Sequence, residues 1–278
     1  MRINRIEIYA YQTQITSQIR HGWFCQWITS EKEVWSEICC KSAVMQLEKM
    51  KAKLLAIDWN WASILSDHHL LQEVDAPLGS MIALVIFQLL KKKKTKMIAI
   101  NALAPKWNKE HVCVKWKWHQ PIQHEWIRVD FNRSKNVEDF LNICWDWKSI
   151  EYVEEPVNSI YGLEKLMNVY PIALDESLHD WYKNCAVRDL PKVNLIIKAY
   201  KMDSLIRMID IINAHYGYVT FTSNFETQTG IKNQVELIAW MDLKTPMGFD
   251  TIRWIEQVQS EGGMKDEMLC DARILLWD

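Results

Sequence analysis

At 278 residues with 49% hydrophobic content, the chain is long enough to bury a large core, either as one α/β barrel or as a barrel with a small appended unit. A net charge of −2 argues against a protein that binds polyanions over its whole surface, and the most apolar run, 81–90, is about half of what a bilayer crossing needs. Seven cysteines, Cys25, Cys39, Cys40, Cys113, Cys144, Cys185 and Cys270, contain no CxxC pair and read as reduced, buried thiols of a cytoplasmic protein.

The opening, MRINRIEIYAYQ, lacks the apolar centre of a targeting peptide, and its alternation of Ile6 and Ile8 with Arg5 and Glu7 predicts a strand. Further strands are expected at 23–28 and 34–39. Helical patterns follow: Val44, Leu47, Lys51 and Leu54 share one face, and 81–90 reads as a core helix. Residues 91–94, all lysine, suit the negative pole of that helix and, with only Lys96 beyond them, lack the basic and aromatic interleaving of a nucleic-acid or anionic-lipid surface. Strands followed by helices make an α+β unit over 1–104.

From about Val112 the pattern changes to strands alternating with amphipathic stretches at 137–147, 160–169, 204–214 and 229–240, the signature of parallel βα units. The strand-like runs end on Lys117 (VKWK), Asp130 (IRVD), Glu154 (IEYVE), Asp175 (IALD), Lys198 (LIIK) and Ser223 (VTFTS). From Asp130 onward these endings recur about every 21 to 25 residues, room for a strand, a helix and two short loops. Lys117 and Asp130 are only about 13 apart, so that crossover has no space for a helix. Residues 119–125 extended reach roughly 24 Å, enough to climb back along a strand of about 17 Å. After Gly262 and Gly263 a tail, 262–278, is expected to end in a strand near 272–277 and to return to the first unit.

Strand ends of a closed parallel barrel converge on one mouth, so Asp130, Glu154 and Asp175 should meet there. Three such carboxylates repel one another. Either neighbouring lysines satisfy them, or a cation does, and all-oxygen ligands suit Mg²⁺ better than Zn²⁺. Lys115 and Lys117 share the inward face by the period-two rule, as do Arg128 and Asp130, and Lys198 comes from across the ring. An ammonium beside a second ammonium and a divalent cation loses its proton more readily, which makes Lys117 a usable base near neutral pH. Trp116 and Trp118 would then point outward and, with Pro121 and Ile122, cover the gap left by the absent helix. The histidines, among them His68, His69, His119 and His124, show no zinc spacing, and neither a nucleotide-binding glycine pattern nor G-x-S-x-G is present.

KWK, DFN, VEEP, DES and IIK, in this order and at barrel strand ends, resemble the muconate-lactonizing subgroup of the enolase superfamily, as do IRVDFNR, ALDESL, TSNFETQTGI, PMGFDTI and the SEI of the first unit. The likeness spans most of the chain and is strongest from about Arg128 to Thr251. It implies a modified (β/α)7β TIM-type barrel over 105–261 with the first crossover helix missing, and an α+β capping domain over 1–104 joined by 262–278. It further implies that Asp130, Glu154 and Asp175 bind Mg²⁺, and that Lys117 takes the proton alpha to a substrate carboxylate. Lys198 would be the cation on the opposite face, with Lys115, Arg128, Ser223 and Asn224 around the substrate. The implied partner is a small-molecule carboxylate from which a lyase removes water, with epimerisation or cycloisomerisation, or a non-catalytic descendant, as alternatives. A cytoplasmic monomer or homodimer without nucleic-acid or membrane partners is expected. The chain departs from the subgroup at Ala199, usually proline, and at Ser36, usually glycine.

Overall fold

Period-two alternation at the start of the chain builds a long hairpin. In the computed structural model, which describes residues 1–15, 18–65, 69–91, 102–103, 114–117, 127–143, 150–202, 204–224, 226–243, 245, 247–249 and 255–260, β1 (Arg5–Ile15) pairs antiparallel with β2 (Gln18–Ile28) from Arg5↔Ile28 to Ile15↔Gln18. β3 (Glu33–Ile38) extends this sheet beyond β2. Helices α1 (Lys41–Ala56), α2 (Trp61–Leu65), α3 (His69–Gln72) and α4 (Ala76–Leu90) follow. On α1 the buried stripe is Ala43, Leu47, Met50 and Leu54; Met50, rather than Lys51, fills the third turn. α4 is buried on every side because it runs between β3 and the later helix α9 (Gln228–Trp240). Its C-terminal carbonyls are met by Lys32 from the turn before β3, whose Nζ donates to Leu89 O at 3.1 Å and Lys91 O at 2.5 Å. Lys91 is ion-paired with Glu236 of α9, and 92–94 lie outside the described residues.

The second sheet is wholly parallel and runs in sequence order: β4 (Ala102–Leu103), β5 (Val114–Lys117), β6 (Ile127–Asp130), β7 (Ile150–Glu154), β8 (Ile172–Leu174), β9 (Asn194–Ile197) and β10 (Val219–Phe221). A parallel bridge, Thr222↔Gly248, carries the ring one step further. With α5 (Val137–Leu141), α6 (Ile160–Met167), α7 (Glu176–Asp180), α8 (Leu205–Ala214) and α9 outside it, this is a TIM-type barrel with an α+β cap. The KWK strand is therefore second in the sheet, not first, because the two-residue β4 precedes it. The expected boundaries at 104 and 261 each fall beyond a strand: β4 already pairs into the barrel sheet, and β11 (Ile255–Ser260) already pairs antiparallel with β1. The connection 118–126, with Trp118, Pro121 and Ile122 of the expected patch, and the tail 262–278 lie outside the described residues, while Trp116 belongs to β5.

Helix starts are fixed locally. Asn136, Ser159 and Ser204 each cap a helix by accepting the backbone N–H three residues on, from Asp139, Gly162 and Arg207, which begins α5, α6 and α8 just below the mouth. Outward strand residues such as Val129, Val153, Leu174, Leu195 and Phe221 bury against Phe140, Leu163, Leu166, Met208 and Ile211 of those helices. Each such side chain contributes roughly 1.5–3 kcal/mol. Inside the ring Tyr152, Ala173 and Ile196 form a separate small cluster. Of the cysteines, Cys25 is buried as expected, whereas Cys39 and Cys40 are exposed because they end β3 and enter the turn before α1; these and Cys185 are free. Among the described residues no helix is long and apolar enough to cross a membrane.

Candidate active site

Strand register sets the first row of side chains. Lys117 of β5 is paired with Asp130 of β6, and Asp130 with Glu154 of β7, so three strand ends align. The backbone turns away just past each acid. Asn132 and Arg133 have φ of 47° and 57°, and Glu155 has φ 47°, all in the left-handed region. Asn132 N–H closes the first turn on Asp130 Oδ1 at 2.9 Å. Asp175 follows β8 at the start of α7, and Lys198 follows β9. Asp130, Glu154 and Asp175 are 3%, 1% and 4% exposed.

Electrostatics tie these ends into one site. Lys198 Nζ donates to Asp175 Oδ2 at 2.5 Å and to Glu176 Oε1 at 3.2 Å. Burial opposes its charge, but Asp175 and Glu176 outweigh burial, with help from Glu154, and hold the Lys198 pKa above the ordinary lysine value. Glu176 is likewise disfavoured by burial yet held below its usual value by Lys198, against the push of Asp130. Lys198 is thus a fixed cation. His179, about one turn further along α7, is neutral: burial first, then Lys201 and Lys198, lower it to about 4. Thr222 continues the row from Lys198 onto the strand after β10, with its Oγ1 buried and making no hydrogen bond among the described residues.

One layer below, Lys115, Arg128 and Tyr152 occupy register-paired positions. Arg128 does not reach the mouth: it is 1% exposed, doubly hydrogen-bonded to Glu151 at 2.8 and 2.9 Å, and lies 4.9 Å from the Tyr152 ring centroid. At the far side Ser223 is buried beside Gly248, and Asn224 is held through its backbone, its N–H on Glu226 Oε2 at 2.5 Å and its carbonyl accepting Arg20 Nη1 at 2.9 Å. Glu37 Oε2 of β3 accepts both the N–H and the hydroxyl of Thr227 at 2.7 Å, placing a carboxylate on the positive end of α9. Glu176, Thr222, Glu226 and Arg20 were not expected at the mouth; for Glu176 the adjacent acids of DES were a usable signal.

As the side chains stand, no three acids, histidines or cysteines among the described residues close to metal-holding distance, and Asp175 is ion-paired with Lys198. The donor set itself fits a hard cation: Asp130, Glu154 and Asp175 are buried, oxygen-only and set on neighbouring strand ends.

No family model matches the chain, and a sequence search of curated proteins finds no match. Solved structures do share the fold. The L-Ala-D/L-Glu epimerase of Bacillus subtilis in a substrate-liganded complex matches with a TM-score of 0.72 at 16% identity, over 92% of each chain. The o-succinylbenzoate synthase of Thermosynechococcus elongatus BP-1, complexed with Mg in its active site, matches with 0.68 at 16%, over 91% of this chain and 94% of that one. A mandelate racemase/muconate lactonizing protein of Herpetosiphon aurantiacus matches with 0.71 at 12%, over 92% and 91%. At these identities the likeness is one of fold.

Proposed function

We propose that this chain is a Mg²⁺-dependent enzyme that abstracts the proton alpha to a carboxylate. Within that class we read it as an o-succinylbenzoate synthase, converting 2-succinyl-6-hydroxy-2,4-cyclohexadiene-1-carboxylate to 2-succinylbenzoate and water. The observation that carries the reading is the aligned row Lys117, Asp130, Glu154, continued by Asp175 and its ion pair with Lys198 at the same end of one parallel sheet. The synthase-like motifs ALDESL and TSNFETQTGI supply the finer choice.

Asp130, Glu154 and Asp175 would hold Mg²⁺, which when bound supplies positive charge beside the substrate carboxylate. Lys117, as the neutral amine, takes the alpha proton, and the electron pair of that C–H bond spreads into the carboxylate and ring. Lys198, held protonated by its acid neighbours, stabilises that anion from the opposite side. In a syn elimination the protonated Lys117 returns its proton to the departing hydroxyl, so one C–H and one C–O bond break, the ring becomes aromatic and water leaves. Lys115 and Arg128 support the row from below, and Ser223 and Asn224 meet the remainder of the substrate. We further propose a monomer or homodimer in the cytoplasm, and a division into a cap over 1–104 joined by 262–278 and a barrel over 105–261, with β4 pairing into the barrel sheet and β11 into the cap sheet.

A second reading is a related epimerase or cycloisomerase, favoured by an epimerase fold match as good as that to the synthase. One experiment separates them: the purified chain with Mg²⁺ is given the cyclohexadiene carboxylate while aromatic product is followed, and in parallel given dipeptides in D₂O while alpha-deuterium incorporation is followed. Product formation abolished by chelator supports the synthase. Exchange into dipeptides without dehydration replaces it with the epimerase, and inertness in both arms overturns the enzymatic reading.

A further inference from the structure

The geometry points to Glu155 as the positioning residue that holds the three strand-end carboxylates in fixed relation, an inference that rests on the metal reading above. Glu155 directly follows Glu154, is 0% exposed, and sits at φ 47°, a left-handed conformation that side-chain-bearing residues rarely adopt. Such strain persists only where surrounding contacts over-determine it. Here they do. Glu155 Oε1 accepts the backbone N–H of Asp175 at 2.7 Å and of Ser177 at 2.8 Å. Its Oε2 accepts the Ser177 hydroxyl at 2.6 Å and Arg133 Nε at 3.0 Å. Its own backbone N–H donates to Ala173 O, and its carbonyl accepts Arg133 N–H at 2.7 Å.

One residue therefore joins the turn after β6, the end of β7 and the start of α7, the three places from which Asp130, Glu154 and Asp175 project. Arg133 is itself immobilised, with Nη1 on Asp180 at 2.8 Å, Nη2 on Ser177 Oγ at 3.2 Å and its guanidinium 4.4 Å from the Trp181 ring centroid. The partners are charge-assisted donors, which makes the carboxylate a strong tie and lets its buried charge remain paired. None of the atoms involved points to substrate contact. What Glu155 sets is the backbone of Asp175: shortening or removing the tie frees the start of α7 and lets Asp175 depart from its neighbours.

The test uses the whole chain and Mg²⁺ alone. Calorimetric titration of wild type, Glu155→Gln and Glu155→Ala is paired with amide hydrogen exchange at Asp175 and Ser177. Outer partners of metal ligands are typically worth about 10- to 100-fold in affinity, so the Ala variant should bind Mg²⁺ weaker by about that factor. Glutamine keeps a neutral acceptor but offers an amide donor to Arg133, so its loss should be a several-fold step in the same direction. Exchange at both amides should quicken in the same order. A role confined to stability would lower the melting temperature and leave the Mg²⁺ affinity unchanged. If wild type itself binds no Mg²⁺, the metal reading falls, and the exchange rates alone decide whether Glu155 holds the Asp175 backbone. A folded variant, Gln where Ala does not fold, with wild-type affinity and wild-type exchange overturns the inference.

Discussion

Glu226 offers the sharpest single perturbation. It lies just before α9, 3% exposed, with Oε2 accepting the Asn224 N–H at 2.5 Å. Glu37 and Cys39 from the cap, Arg20 of β2, Tyr11 of β1 and Tyr200 from the turn after β9 make up its charged and titratable surroundings. Burial, then the charge of Glu37, push its pKa up to about 7 from 4.5, against the pull of backbone hydrogen bonds and Arg20. Because the folded pKa is raised, the stability this group contributes is fully present below about pH 4.5 and is lost as pH rises through 7. A shift of about 2.5 units at roughly 1.4 kcal/mol per unit sets an upper limit of about 3.5 kcal/mol. Between pH 5 and pH 8.5 about 2 of those units are crossed, so the expected change is about 2–3 kcal/mol. Glu226→Gln keeps an acceptor for Asn224 and cannot titrate. In urea unfolding at pH 5 and pH 8.5, wild type should lose about that much stability relative to the variant between the two pH values. A difference between the two proteins that is the same at both pH values would refute the reasoning.

The remaining predictions bear on the row, its support and its rim. Lys117→Ala should lower kcat by about 100-fold or more while substrate affinity, measured by calorimetry, changes little. Gly230→Ala should destabilise by about 1–3 kcal/mol in thermal unfolding, since a Cβ there would lie 2.7 Å from both Glu226 Cβ and Glu37 Oε2. Glu151→Ala should cost about 3 kcal/mol in urea unfolding by taking the doubly bonded carboxylate from buried Arg128. Saturating Mg²⁺, at about 100 times its Kd, should stabilise wild type by about 3 kcal/mol and leave Asp175→Asn nearly unshifted in a thermal scan.

Much of the barrel was legible because its signal repeats. Endings on Asp130, Glu154, Asp175 and Lys198 recur at a spacing that only a strand and its crossover fill, and parallel pairing then brings them side by side. What escaped lacked a period. β4 is two residues long, below any alternation pattern. β11 was hidden because EQVQS reads as polar until β1 offers it a partner. Arg128 was placed facing inward by parity, and the register irregularity between Ile127 and Arg128 is what lets it meet Glu151. Ser36 stood out as a departure from glycine, and its hydroxyl accepts Trp27 Nε1 at 2.8 Å in the buried cap. A tryptophan-rich strand thereby gains a partner for its indole, which a glycine could not give.

Charge counting at the mouth argues for a cation as well as for a base. Asp130, Glu154, Asp175 and Glu176 gather where water is largely excluded, and the resolved ion pairs assign Lys198 to Asp175 and Glu176. Buried carboxylates are costly unless positive charge or donors meet them, and Lys198 acts on Glu154 as well. In the proposed mechanism Lys117, in register beside Asp130, serves as the neutral base, and a neutral amine cannot also offset an acid. A divalent ion on Asp130, Glu154 and Asp175 would then carry that compensation, so chelation should remove proton-abstracting activity even where substrate still binds, and activity that survives chelation would refute the metal reading.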